Sequence, residues 1–325
     1  MIDDFQSTPS SVPLYPANLM KINHRSFLSI LAGSLALLVS NAQAENPLKV
    51  DGRSFYGADP SALVTSDGRL FMFPTTDKLS WDEQIGWSVY STEDLVNWKD
   101  HGVIFDFEDS GWATNNAWAP DITEKNGKFY FYYYFRNNGP DKGVGVAIAD
   151  NPEGPYKEAL GKPLLRGHDP GLFTDDDGSS WLYVQDKAYE LGEDMISIKR
   201  GPINLGLEYR PEKFEAAYVF KRKGIYYFTI ARAWNNLLYY TGKSPIGPFR
   251  LRGEIMKPYG GNNHHSIVNY KGQWIIFHHE WVKGKPGHEG HQRRIRAEYL
   301  HFNDDGTIQL VKPTDEGISL ATLGK

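Results

Sequence analysis

The 325-residue chain contains no cysteine. That absence excludes disulfides, thiol catalysis and cysteine-ligated metal sites, so the fold must rest on its core and its chemistry on other side chains. A basic excess is missing too. Lys and Arg number 35 against 40 Asp and Glu, a net charge of −5, which gives no bias toward nucleic acid or acidic membranes. Beyond residue 44 no long amphipathic helix pattern occurs, and no Pro/Gly/Ser-rich stretch marks a domain linker.

Long apolar runs are likewise scarce. The one from Phe27 to Val39 follows Lys21 and Arg25 and is closed by Ala42-Gln43-Ala44. A basic start, a short apolar centre and an A-x-A site are the parts of an export signal, and the run is too short to span a membrane comfortably. Residues 1–44 are therefore expected to be a removed leader. Met20 stands where such a signal starts, so residues 1–19 are expected to lie upstream of the true start. The mature protein is expected to be exported, periplasmic or extracellular, and free of the membrane, with residues 45–325 forming a single domain.

Aromatic residues are abundant: 17 Phe, 9 Trp and 19 Tyr. They recur in five segments of one plan, a glycine turn followed by an aromatic strand: "DGRLFMFP", "NGKFYFYYYF", "DGSSWLYVQD", "KGIYYFTIA" and "KGQWIIFHHE". The turn glycines Gly68, Gly127, Gly178, Gly224 and Gly272 are 59, 51, 46 and 48 residues apart. A period near fifty with hairpin turns predicts an all-β, five-bladed β-propeller rather than two sandwich domains. Run-on strands such as "FYFYYYF" suit sheets covered on both faces.

Gly-x-Asp-Pro occurs twice, at Gly57 and Gly167, each time with its Asp nine residues ahead of a turn glycine. Counting nine back from every turn glycine reaches Asp59, Trp118, Asp169, Glu215 and Asn263. Equivalent positions on the innermost strands should ring the propeller axis, which brings three carboxylic acids together. Asp before Pro also starts turns for structural reasons, but Glu215 lies between Phe214 and two alanines with no such role. Converging acids raise at least one pKa, and an acid kept protonated beside ionised carboxylates is the equipment of glycoside hydrolysis.

These residues resemble glycoside hydrolase family 43, five-bladed propeller enzymes acting mainly on arabinose- and xylose-containing plant polysaccharides. The likeness runs from about Tyr56 to Pro313 and rests on "ADPS", "AWAPDI", "HDP", "FEAAY", "NNHHSIV" and "RRIRAEYLHFNDDGTI". The resemblance implies Asp59 as general base, Asp169 as modulator of pKa and Glu215 as general acid. It implies inversion of configuration, for which the two working carboxylates stand roughly 6.5–9.5 Å apart. It further implies a central ion, often calcium, at His264, with no organic cofactor, and an arginine near the pocket, matched by Arg293. The family's acid motif often reads Glu-Gly-Pro, whereas Ala216-Ala217 follows Glu215 here.

Trp118 is a candidate platform for a sugar face, or else a core residue wedged between blades. His264 is either an ion ligand or a hydrogen-bonded strand-entry histidine. The segment His278–Arg294, rich in His and Glu, reads as a solvated rim loop, and "TDDDG" at Thr174 as a hairpin turn. The expected activity is an inverting glycosidase removing α-L-arabinofuranosyl or β-D-xylosyl units from a carbohydrate substrate. The competing readings are a galactan- or arabinogalactan-directed enzyme of the same family and a non-catalytic carbohydrate-binding propeller. Sugar choice is assigned to rim loops at Thr76–Ile85, Arg136–Lys142, Arg232–Asn236 and Trp281–Gln292.

Overall fold

The computed structural model describes residues 44–77, 84–114, 116–136, 142–232, 236–257, 263–282 and 292–320. The leader, apart from Ala44, and the central parts of all four rim loops lie outside the described residues.

Five antiparallel sheets follow one another along the chain, each a meander from its innermost strand outward. Blade one runs through Ala58–Val64, Leu70–Thr75, Gly86–Thr92 and Trp98–Asp106, and blade two through Ala117–Lys125, Lys128–Phe135, Gly143–Ala149 and Lys157–Glu158. Blade three comprises Gly171–Thr174, Ser180–Val184, Lys187–Leu191 and Ile198–Asn204. Blade four comprises Phe214–Arg222, Ile225–Arg232, Leu237–Gly242 and Arg250–Met256; blade five has His265–Tyr270, Gln273–Trp281 and Arg293–Tyr299. The first strand of each blade contacts the first strand of the next, and the fifth contacts the first, which closes a ring around the axis.

The run-on aromatic strands are explained by what lies on either side of each sheet. In Lys128–Phe135, Phe129, Phe131, Tyr133 and Phe135 pack toward blade one, while Tyr130 and Tyr132 pack toward blade three. Side chains alternate across a strand, so a sheet covered on both faces needs apolar residues at every position. Each junction between neighbouring blades has its own cluster of buried apolar side chains. At the junction of blades one and two, the fully buried Trp87 ring lies 5.1 Å from Phe135 and 5.3 Å from both Phe131 and Tyr133.

Blade five is completed from the other end of the chain. Leu48 N–H donates to Ile295 O at 2.8 Å, Ile295 N–H to Phe55 O at 3.0 Å and Gly57 N–H to Arg293 O at 3.1 Å. The Asn46 amide adds a matching pair with the Ala297 main chain, donating at 2.8 Å and accepting at 3.0 Å. The segment from Asn46 to Gly57 thus covers the edge of Arg293–Tyr299, which would otherwise expose unpaired main-chain groups.

The hairpin turns fall into two kinds, which corrects the nine-residue count. Blades two, four and five turn through two residues, Asn126-Gly127, Lys223-Gly224 and Lys271-Gly272, each with positive φ at both positions. That is the type I′ hairpin. In blades one and three the loop is one residue longer: Thr65 N–H donates to Arg69 O, and Asp175 N–H to Ser179 O. The extra residue precedes the glycine, so nine back in blades one and three corresponds to eight back elsewhere.

Candidate active site

The corrected register places Asp59, Ala119, Asp169, Ala216 and His264 at equivalent points, with Trp118, Glu215 and Asn263 each one residue earlier. A β-bulge fixes this alignment. Ladder pairing is interrupted between Ala58 and Ser61, between Trp118 and Asp121, and between Glu215 and Tyr218. In each case two residues stand opposite one. Asp59, Asp169 and Ala216 all adopt left-handed φ, at 50°, 55° and 57°. A residue in that region re-aims the chain and its flanking side chains, and proline fits the next position because no ladder hydrogen bond is needed there. Asp59 therefore presents its carboxylate from the bulge, whereas Glu215 presents its own from the last paired residue before it. Gly171 lets blade three approach this point: a Cβ there would stand 2.0 Å from Ala217 O.

The three acids nonetheless share one site. Carboxylate and imidazole atoms of His168, Asp169 and Glu215 lie within 4.8 Å of one another. His264 Nε2 stands 3.2 Å from Asp169 Oδ2, and Ala216 N–H donates to the same oxygen at 3.4 Å. Burial opposes ionisation of Asp169, but the positive fields of His168 and His264 and these hydrogen bonds overcome it and hold the group at about 2. Glu215 responds the other way. Burial first, then the negative charge of Asp169 and of Asp59, pushes it up to about 7, against the opposing pull of His264 and Arg293. The site thus pushes two neighbouring carboxyls in opposite directions, Asp169 toward ionisation and Glu215 toward its protonated form.

Asp59 is 5 % exposed and is clamped by blade five. Its N–H donates to His279 Nδ1 at 3.1 Å, and its Oδ1 accepts from Arg293 Nη1 at 3.0 Å. Arg293, 1 % exposed, also donates through Nε and Nη2 to Asp77 Oδ1 at 3.2 and 2.9 Å. Its partners are therefore carboxylates, as an arginine at the head of an apolar strand face requires.

Trp118 is half-buried, with the Arg136 guanidinium 5.1 Å over its ring and Tyr134 5.9 Å away; its carbonyl accepts from Trp87 Nε1 at 2.8 Å. Tyr134 in turn lies 6.0 Å from the His168 ring, which connects the Trp118 neighbourhood to Asp169.

Burial alone would lower the pKa of His264, but the neighbouring Asp169 carboxylate raises it to about 9. With Ser61, Asp121, Tyr218, His265 and Ser266, His264 lines a cavity of about 10 Å³, room for one water. Both Asp121 oxygens are engaged there, by Ser61 Oγ at 2.6 Å, Ile122 N–H at 2.9 Å and Leu172 N–H at 2.6 Å. This donor set does not fit directly bound calcium, which takes six to eight oxygens.

Sequence reasoning missed Asp77, His279, Gln84 and Asp121. Asp121 lies in "AWAPDI", and the two adjacent histidines of "FHHE" were visible; Asp77 stands in no repeat and had no signal. The reading of His278–Arg294 as a solvated loop needs correction at both ends, since Arg293 and Arg294 open the strand Arg293–Tyr299 and Arg293 is buried. His278, His279 and Glu280 belong to the strand Gln273–Trp281 and are 0, 0 and 5 % exposed, because both faces of that strand are covered. Residues 283–291 of the segment lie outside the described residues.

Comparison with known proteins agrees with this fold. Residues 53–308 match the family model described as glycosyl hydrolases family 43. A xylosidase/arabinosidase of Bacteroides ovatus is 31 % identical, over 80 % of this chain and 96 % of its own. A β-D-galactofuranosidase of Aspergillus niger is 32 % identical, over 89 % and 91 %. Among solved structures, a family-43 enzyme of Xanthomonas citri complexed with xylotriose superposes with a TM-score of 0.75 at 27 % identity, covering 86 % of this chain and 97 % of that one. On the strength of the matched residues, the propeller and the acids at its axis, the chain belongs to glycosyl hydrolase family 43 and is a glycoside hydrolase.

Proposed function

We propose that the protein removes α-L-arabinofuranosyl or β-D-xylosyl units from plant-type polysaccharides or oligosaccharides by direct, inverting displacement. The observation that carries the mechanism is the close approach of two buried carboxyls, Glu215 and Asp169, within 4.8 Å of each other, which pushes Glu215 up to about 7 while Asp169 is held at about 2. Glu215, protonated, donates to the leaving oxygen. Asp59, clamped by Arg293, takes a proton from the attacking water on the opposite side of the sugar, so the C–O bond breaks as the new one forms. Asp169 is the fixed negative charge that, with burial, keeps the proton on Glu215 and orients it. Trp118 offers a flat face to the sugar. The xylosidase/arabinosidase relative supports this choice of glycone; the β-D-galactofuranosidase relative supports a second reading in which the glycone is galactose-derived. All three acids are present, which disfavours a binding-only propeller. The leader in the sequence supports export.

The test is sugar release by the 45–325 protein from aryl α-L-arabinofuranoside, β-D-xyloside and β-D-galactofuranoside. Release from either of the first two is expected, with the freed sugar first appearing in the anomeric form opposite to the substrate's. Release from the galactofuranoside alone would replace the proposed glycone, and retention of configuration would overturn the mechanism.

A further inference from the structure

Asp77 is a buried carboxylate at the site to which the mechanism gives no task. Its side chain is 0 % exposed. Its hydrogen-bond partners among the described residues are all donors: Arg293 N–H and Arg293 Nε and Nη2 from blade five, and Gln84 Nε2 at 2.8 Å. Gln84 is itself tied to the start of the inner strand of blade two, accepting from Ala117 N–H at 2.9 Å. Asp77 is therefore held from two blades and grips residue 293 by main chain and side chain together.

The consequence lies one step further in. A guanidinium is a rigid planar fork, so fixing the edge that carries Nε and Nη2 fixes where Nη1 points. Here Nη1 donates to Oδ1 of Asp59; Oδ2 of Asp59 makes no hydrogen bond among the described residues. An arginine facing Asp59 with nothing behind it would turn to engage both oxygens, the favoured pairing of these groups, and would occupy the lone pairs that a base needs.

The geometry points to Asp77 as a positioning residue for hydrolysis: by holding one edge of Arg293 it limits that arginine to one oxygen of Asp59 and leaves the other for the attacking water. This rests on the reading of Asp59 as general base. Asp77 acts through Arg293 and touches no substrate in this account. It also divides the positive charge of Arg293 between two carboxylates, so its removal strengthens the hold of Arg293 on ionised Asp59.

The experiment is the pH profile of kcat/KM for Asp77→Asn and Asp59→Asn on the aryl glycoside the wild type cleaves best. For Asp77→Asn, kcat is expected to fall roughly 10- to 100-fold, the range a misplaced catalytic group costs, with KM altered much less. The acid limb should move to lower pH, because a negative charge near Asp59 has been removed. A merely structural role would lower the folded fraction and leave the limb where it was. Wild-type kcat and an unmoved acid limb in Asp77→Asn, with Asp59→Asn inactive, would overturn the role of Asp77 alone. Turnover with an intact acid limb in Asp59→Asn would overturn the base assignment and this inference with it. If Asp77→Asn does not fold, Gln84→Met, which loosens Asp77 without removing a charge, should lower kcat several-fold at nearly constant KM; an unchanged kcat would count against the inference.

Discussion

Arg293 and Arg296 stand three residues apart on one strand, 1 % and 2 % exposed, and point to opposite faces of blade five. Arg293 faces the axis and meets Asp59 and Asp77. Arg296 faces the seam where the chain ends meet the blade: Nη1 donates to Glu280 Oε2 at 2.6 Å, and Nη2 to Thr314 O at 2.6 Å and Asp315 Oδ1 at 3.1 Å. Glu298 joins the same seam, accepting from Asn46 Nδ2 at 3.0 Å and Thr314 N–H at 2.9 Å. Both arginines carry the cost of burying a charge, and both offset it with carboxylates. They differ in what is left over. At the seam the contacts join chain segments and stop there, whereas at the axis one carboxylate keeps an oxygen for chemistry. Burial of ion pairs is thus a shared building method, and the free oxygen marks the site.

Substitutions at the two arginines should separate these roles. Arg293→Met leaves two buried carboxylates facing each other without their cation, so activity should fall by at least roughly 100-fold and the thermal midpoint should drop as well. Kinetics together with a melting curve would show both losses. Arg296→Met should instead cost on the order of 3 kcal/mol of stability while kcat per folded molecule stays at the wild-type value. A denaturant titration and an active-site-normalised rate would check this, and a large fall in kcat would erase the distinction between the two faces.

The pH dependence of stability should carry the signature of the axis rather than the seam. Glu215 is raised from 4.5 to about 7, so the stability of its protonated form is present below about 4.5 and is lost as pH rises through 7. His264 is raised from 6.5 to about 9, so its contribution is complete below 6.5 and fades as pH rises through 9. Asp169 works in the opposite sense: lowered from 3.8 to about 2, it contributes above 3.8 and loses that contribution as pH falls through 2. The thermal midpoint should therefore peak on the acid side of neutrality and decline from pH 6 to 9. Glu215→Gln should flatten the part of that decline near pH 7. The smallest effect is expected at the seam's outer edge, where Asn46→Ala removes hydrogen bonds to Ala297 and Glu298 and should cost about 1–2 kcal/mol without altering the pH profile of activity.

The propeller was legible because each blade repeats a turn glycine and an aromatic strand, and packing on both sheet faces turns those strands into unbroken apolar runs. Asp59 and Asp169 were legible through their shared Asp-Pro. Glu215 was reached by a count that treated two-residue and three-residue turns alike; the count fell on it because Glu215 is adjacent to the true equivalent, Ala216, at a bulge. A bulge depends on how two strands pair, which no single strand records. The completion of blade five by Asn46–Gly57 and the grip of Asp77 on Arg293 were not legible for a related reason. Each joins residues more than two hundred positions apart, outside the repeat, where only ring closure brings them together. The same closure carries His278 and His279 from an apparently polar segment into the interior.

The central claim, that Glu215 delivers the proton to the leaving group, is tested most directly by comparing Glu215→Gln with the wild type on two aryl glycosides of the same sugar. One should carry a leaving group that needs protonation and the other one that departs without it. The account predicts a loss of roughly 10²- to 10⁴-fold on the first and a much smaller loss on the second, with the basic limb of the profile gone. Equal losses on both substrates, or a basic limb that persists without Glu215, would contradict it.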